Sequence, residues 1–283
     1  GAALAGAFHL DPRLGIAVGS IPMVGGHGTA GACGPVLEEA GVTGATAVAI
    51  ASATFGLVAG CVIGGPLAYR RILSLNLKST ETATGSDEVT VDKNEVTGAI
   101  DSRRFLDSAL YLAIAIGAGT IVSLFLNKLM TFPSYIGAMV VAAIIRNVVD
   151  ATHKDMTMEE ISTIGSFSLT IFLGLAMMGL KLWQLAELAL PMIVMLAAQT
   201  VLMAFFAYFV VFNLLGKNYD AAVMTSGYCG FGMGATPNAM ANMQAITAKY
   251  GPAPTAYFVV PLEGSLFIDF FNAHIITTFM NFL

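Results

Sequence analysis

Charge is what this sequence has least of. Only 11% of its 283 residues are Asp, Glu, Lys or Arg, against about 25% in an ordinary soluble domain. That scarcity excludes a typical water-soluble globule. No basic patch with interleaved aromatics occurs, so no nucleic-acid partner is expected. Cysteine is also scarce: Cys33, Cys61 and Cys229 lie far apart among glycine and small apolar residues. Such spacing fits neither a disulfide framework nor a metal site. His9, His27, His153 and His274 are scattered, without the paired spacing of a zinc helix. No nucleophile stands beside a convincing base, so neither catalysis nor an organic cofactor is expected.

Apolar residues, by contrast, make up 56% of the chain, and the mean hydropathy is +0.77. Several runs approach or exceed the roughly 20 residues that cross a hydrocarbon core as a helix. An all-α polytopic membrane protein surrounded by lipid is therefore expected. Full spans are expected near Ala45–Ala68, Phe105–Leu129, Pro133–Asp150, Ile161–Trp183, Leu188–Leu215 and Pro254–Asn281. The opening stretch Gly1–Phe8 has neither the charged start nor the cleavage site of a signal peptide. It reads as the end of a helix already under way, and earlier spans are expected before it.

Two glycine-rich interruptions stand out against this background. One reads Gly25-Gly26-His27-Gly28-Thr29-Ala30-Gly31, the other Cys229-Gly230-Phe231-Gly232-Met233-Gly234-Ala235-Thr236-Pro237-Asn238. Each follows a short apolar run and precedes a long one. Backbone without internal hydrogen bonds is tolerated at membrane depth only where protein or a water-filled cavity satisfies it. A pair of such breaks in two halves of a chain points to a transporter's binding site. The arms around the second break, Asp220–Ser226 and Asn238–Thr247, are too short to cross, and a re-entrant or broken helix is expected at each interruption.

Tyr69–Arg104 is the long polar segment. Its basic residues Arg70, Arg71, Lys78, Lys93, Arg103 and Arg104 place it in the cytoplasm by the positive-inside rule. Counting crossings outward from it, the first break enters from outside and the second from inside. An odd number of spans per half would make the halves inverted copies. The expected organisation is residues 1–70 as the end of an N-terminal repeat, 71–104 as a cytoplasmic linker, and 105–283 as a C-terminal repeat.

Asp269 is the sharpest single position, because a carboxylate in mid-span costs about 2.5–3.5 kcal/mol on insertion scales and is usually functional. Asn272 follows by three residues and Ser265 precedes by four, which places all three on one helical face. These oxygens, with Thr236, are candidate sodium ligands. Gly26, Gly28, Gly230 and Gly232 allow backbone to approach a ligand, and half-helix N-termini favour anions. With His27, Thr29, Phe231, Thr236, Asn238 and Asn272 they form the candidate substrate site, for an organic anion accompanied by a cation. His27 is either a proton relay or a neutral hydrogen-bonding group. Gly56, Gly60 and Gly64 form a small-residue ridge read as helix packing at Gly60 and Gly64. Glu263 is a gate or a surface residue, Arg146 an interface anchor, and Lys181 with Trp183 an anchor pair.

At these residues the chain resembles the bacterial sodium–glutamate symporter family. The resemblance rests on Gly25-Gly26-His27-Gly28-Thr29, Ala53-Thr54-Phe55-Gly56-Leu57-Val58, Met178-Gly179-Leu180-Lys181-Leu182-Trp183, Gly216-Lys217-Asn218-Tyr219-Asp220, Cys229-Gly230-Phe231-Gly232, Gly234-Ala235-Thr236-Pro237, Ala241-Asn242-Met243-Gln244, and Ile268-Asp269 with Asn272. It implies two inverted five-helix repeats, each with a re-entrant loop, and sodium-driven uptake of L-glutamate across the bacterial inner membrane. It also implies a homodimer in which a substrate-carrying domain moves against a scaffold. A carrier of another carboxylate, such as citrate or 2-oxoglutarate, coupled to sodium or protons, is the alternative.

Overall fold

The computed structural model describes residues 1–79, 102–128, 135–152, 156–178, 186 and 188–282. Most of the expected linker, residues 80–101, lies outside them, as do Lys181 and Trp183. The described residues are almost all helical. They fall into two compact units, one drawn from Gly1–Thr90 and Lys181–Leu283, the other from Val91–Leu180.

The second unit holds α5 (Ser102–Leu126), α6 (Tyr135–Ala151) and α7 (Met158–Met178). Small residues bring α5 and α6 together: a Cβ on Gly137 would lie 2.2 Å from the carbonyl oxygen of Gly119. Close backbone approach of this kind is how helices associate in lipid. Arg104 pairs with Glu160 at 3.0 Å, and the Ser108 hydroxyl bonds that of Thr157, joining α5 to the start of α7. Leu106, Ile121 and Phe125 point outward, as suits helices solvated by hydrocarbon.

The first unit begins with α1 (Ala2–Ala7) and α2 (Pro12–Val18). Asp11 caps α2, accepting from the Arg13 N–H at 2.9 Å, with Pro12 at the first helical position where its missing N–H costs nothing. Then come α3 (Ser20–Glu39) and α4 (Ala45–Ser74). The α4 helix extends six residues beyond the expected Ala68 boundary, carrying Tyr69, Arg70 and Arg71 with it. Its first turn is capped from outside: Glu38 Oε1 accepts from the Thr46 N–H at 3.1 Å.

After the second unit, α8 (Ala189–Phe206) continues through a π-turn at Ala207–Val211 and a last stretch, Phe212–Leu214. There the Phe212 N–H bonds back to Ala207, so the Tyr208 carbonyl loses its α-helical donor. The Arg71 guanidinium donates to that carbonyl while stacking on the Tyr208 ring at 3.7 Å. Next are α9 (Tyr219–Gly232), α10 (Thr236–Tyr250) and α11 (Pro254–Glu263). A second π-turn, Gly264–Ile268, leads into α12 (Asp269–Phe282). It follows Pro261, whose missing N–H already interrupts the helical ladder.

Among the described residues, three helices are long and apolar enough to cross a membrane: Ala45–Ser74, Arg103–Leu126 and Ala189–Leu214. The other expected spans correspond to α6, with 17 residues, to α7, with 21, and to the final segment that the π-turn divides.

Candidate functional site

Two helical hairpins build the site. In the first, α2 and the opening turn of α3 run one way, and the rest of α3 returns. The reversal sits at Gly26, with φ 62° and ψ −157°, a combination essentially reserved for glycine. The base is closed by Arg13, whose Nη1 donates to the Ala40 carbonyl at 3.0 Å. In the second hairpin α9 and α10 run antiparallel. A Cβ on Gly230 would strike Asn238 and Ala239 at 2.7 Å, and Asn242 Nδ2 donates to the Ser226 carbonyl at 3.0 Å. Its turn is Met233–Ala235, and its base is closed by the Tyr219 hydroxyl donating to Gly251 at 2.6 Å. At 14 and 15 residues these arms are roughly 20 Å long, short of a bilayer core.

Both hairpins lie along α4. The first packs on its N-terminal half: Gly34 meets Thr46, and His27 Nε2 bonds Thr54 Oγ1 at 2.9 Å. The second packs on its C-terminal half, with Gly60 facing the Cys229 carbonyl and Gly64 facing the Ser226 carbonyl. Their bases therefore sit at opposite ends of α4, and their tips converge beside Gly56. A Cβ on Gly56 would lie 2.2 Å from the Met233 oxygen and 2.9 Å from Met23 Sδ, and one on Gly26 would lie 3.3 Å from the Gly234 oxygen. The two glycine-rich motifs meet tip to tip.

The final helix connects the same two hairpins. Gly264 receives the Phe231 ring. Further on, buried Asn272 accepts from the Ser20 hydroxyl and returns a bond from Nδ2 to the Ser20 carbonyl at 3.3 Å. Ser20 follows Gly19, a second non-helical joint in the first hairpin (φ −103°, ψ −111°). A Cβ on Gly19 would lie 3.1 Å from Gln199 Oε1.

The expected site residues thus divide. Gly26, His27 and Gly28 lie at the first tip, and Gly28 opens onto free space. Thr29 folds its side chain over Gly25. Thr236 opens α10. Gly28 and Gly31 are helical, and Gly230 and Gly232 lie within α9, so the second break is confined to Met233–Ala235. Gly230 closes its hairpin, Gly232 packs on Met203, and Phe231 is buried. Asn238 is held by α4, donating to the Leu57 carbonyl at 2.8 Å and accepting from the Cys61 thiol at 3.3 Å. The side chains of Ser265 and Asp269 lie outside the described ones.

Sequence reasoning missed Ser20, Thr54, Asn242 and the Gly19 joint as parts of this assembly. Asn238 and Asn242 are one helical turn apart, and that spacing opposite a glycine ridge was the available signal for a clamp. Ser52 Oγ, one turn before Gly56, is buried with no hydrogen-bond partner among the described residues. It is an uncommitted oxygen near the tips. No group of His, Cys, Asp and Glu able to hold a metal is formed among the described residues.

A family model for Sodium/glutamate symporter matches residues 1–252, taking in both hairpins and α4. The chain belongs to that family. A sodium/glutamate symporter of Escherichia coli (strain K12) is 42% identical over 285 residues, covering 99% of this chain and 71% of that protein. One from Haemophilus influenzae is 37% identical over 275 residues, covering 94% and 67%. No solved structure matches the chain. Membership of this family identifies a multi-pass membrane transporter rather than an enzyme.

Proposed function

We propose that the chain carries out sodium-coupled symport of L-glutamate across the bacterial inner membrane. The observation that carries this reading is the meeting of two hairpin tips, approached from opposite ends of α4. Where helices end inside a membrane, free N–H groups and carbonyls face one another across a small volume. N–H groups at helix starts favour carboxylates, and carbonyl and hydroxyl oxygens suit sodium. The hairpins are re-entrant elements of two inverted repeats, entering the bilayer from opposite faces. The repeats are divided by a cytoplasmic linker over residues 71–104, after an N-terminal repeat ending at residue 70.

Glutamate lies against Gly26, His27, Gly28 and Thr29 on one side and Gly230–Gly232, Thr236 and Asn238 on the other, with Asn272 nearby. Sodium takes oxygens from Asp269, Asn272, Ser265 and Thr236, offsetting the substrate's negative charge. Coupling follows if the state that exposes the site inward is reached only when both are bound. The carrier acts as a homodimer with elevator-like alternating access.

Uptake of radiolabelled L-glutamate into proteoliposomes, with and without an inward sodium gradient, tests the reading. Sodium-dependent accumulation is expected, and Asp269→Asn should weaken sodium activation more than it lowers protein yield. Accumulation of citrate or 2-oxoglutarate in place of glutamate would transfer the same architecture to another carboxylate.

A further inference from the structure

The tip of the first hairpin carries a chain of hydrogen bonds from His27 through Thr54 to the Ile50 carbonyl. The Thr54 hydroxyl has a single proton and donates it to the Ile50 carbonyl at 3.2 Å. With that proton directed to Ile50, its other neighbour, His27 Nε2 at 2.9 Å, is the donor in the tautomer that carries the ring proton there. A neutral imidazole with its proton on Nε2 has a bare lone pair on Nδ1. No protein group among the described residues bonds Nδ1. His27 itself is half-buried and stands between the Gly26 reversal and exposed Gly28.

An acceptor here differs in kind from its surroundings. Helix starts and glycine backbones offer N–H donors, which recognise carboxylates but do not distinguish an amino acid from a plain dicarboxylate. We infer that Thr54 is a positioning residue that holds His27 in the Nε2–H form, so that Nδ1 accepts a hydrogen bond from the substrate's α-ammonium. The inference rests on the transport reading above and adds to it a basis for selectivity. A 2-oxo acid would bring a ketone oxygen to the same place, lone pair against lone pair. The site then excludes 2-oxoglutarate by leaving an acceptor unsatisfied, a form of discrimination stronger than a difference in shape.

The test compares glutamate uptake, and its inhibition by 2-oxoglutarate, in reconstituted wild type and four variants. His27→Asn can place a carboxamide oxygen where Nδ1 was and should keep most of the preference for glutamate. His27→Gln preserves a donor towards Thr54 without the Nδ1 acceptor, and Thr54→Val frees the tautomer. Both should lower the glutamate preference by roughly tenfold or more, as expected for losing a hydrogen bond to a charged group. Thr54→Ser should restore it. An unchanged preference in His27→Gln and Thr54→Val, alongside active wild type, would overturn the proposal.

A spectroscopic arm is independent of uptake. The ¹⁵N shifts of His27 should report a proton on Nε2, and Nδ1 should respond to glutamate and not to 2-oxoglutarate. A proton on Nδ1 in the wild type would sink the idea even if no variant folds. Wild type that fails to accumulate glutamate would instead remove the transport reading on which the inference stands.

Discussion

Ser20 and Asn272 hold each other reciprocally: the serine hydroxyl donates to the carboxamide oxygen, and the carboxamide nitrogen donates to the serine carbonyl. The pair ties the first hairpin, at its Gly19 joint, to the helix that closes the chain. Asn272 is only 7% exposed, so neither bond is readily replaced by water. Asn272→Ala should cost about 1–3 kcal/mol, the usual penalty for stranding buried polar partners. Ser20→Ala removes one bond and should cost less. Thermal unfolding of the purified variants in detergent checks the order.

Gly28 and Gly56 separate ligand contact from packing. A Cβ at Gly28 meets nothing within 4 Å, whereas one at Gly56 collides with the Met233 carbonyl at 2.2 Å. Gly28→Ala should therefore fold with unchanged stability and lose glutamate uptake where substrate lies against that backbone. Gly56→Ala should lose stability by roughly 1–3 kcal/mol, as overpacked sites do. Gly65, with open space around it, is the control on the same helix. Uptake measured beside melting temperature distinguishes the two effects.

Asp11 gives a pH dependence at the base of the first hairpin. The Arg13 side-chain hydrogen bond is the main cause holding its carboxyl below the ordinary carboxylate range. A depressed folded-state value means that the contribution is complete above the unfolded value of about 3.9. It is lost as pH falls through the folded value. Wild type should be more stable than Asp11→Asn near neutral pH, and the gap should close below about pH 4. Denaturation midpoints of both proteins across that range provide the measurement.

The helical class and the two glycine motifs were legible in the sequence because hydrophobic run length and glycine clustering are local properties. The position of the backbone reversals was not. Glycine permits a break without requiring one: Gly28 and Gly31 remain helical. At Gly26 the returning arm must lie on α4. The π-turns were hidden for a related reason. A π-turn at Ala207–Val211 needs an outside donor for its freed carbonyl, and Arg71 supplying it lies 137 residues away from Tyr208. Side-chain clamps such as Asn242 reaching the Gly60 carbonyl at 3.0 Å are equally nonlocal. Composition could nominate Asn238 as polar and near a break, but not that its amide was already committed to α4.

One helix serves as the common support of both hairpins, and that makes chain length at its centre a structural variable in its own right. Each residue of an α-helix turns the chain by 100° and advances it 1.5 Å. Between Thr54, which holds one hairpin, and Gly60, which receives the carboxamide from the other, a single inserted or deleted residue would swing one tip about a quarter-turn away from its counterpart. Point changes on the outward side of this stretch, as at Val58, leave that phase intact. The outward side of the middle of α4 is thus tolerant of spelling, while the length of the stretch is fixed.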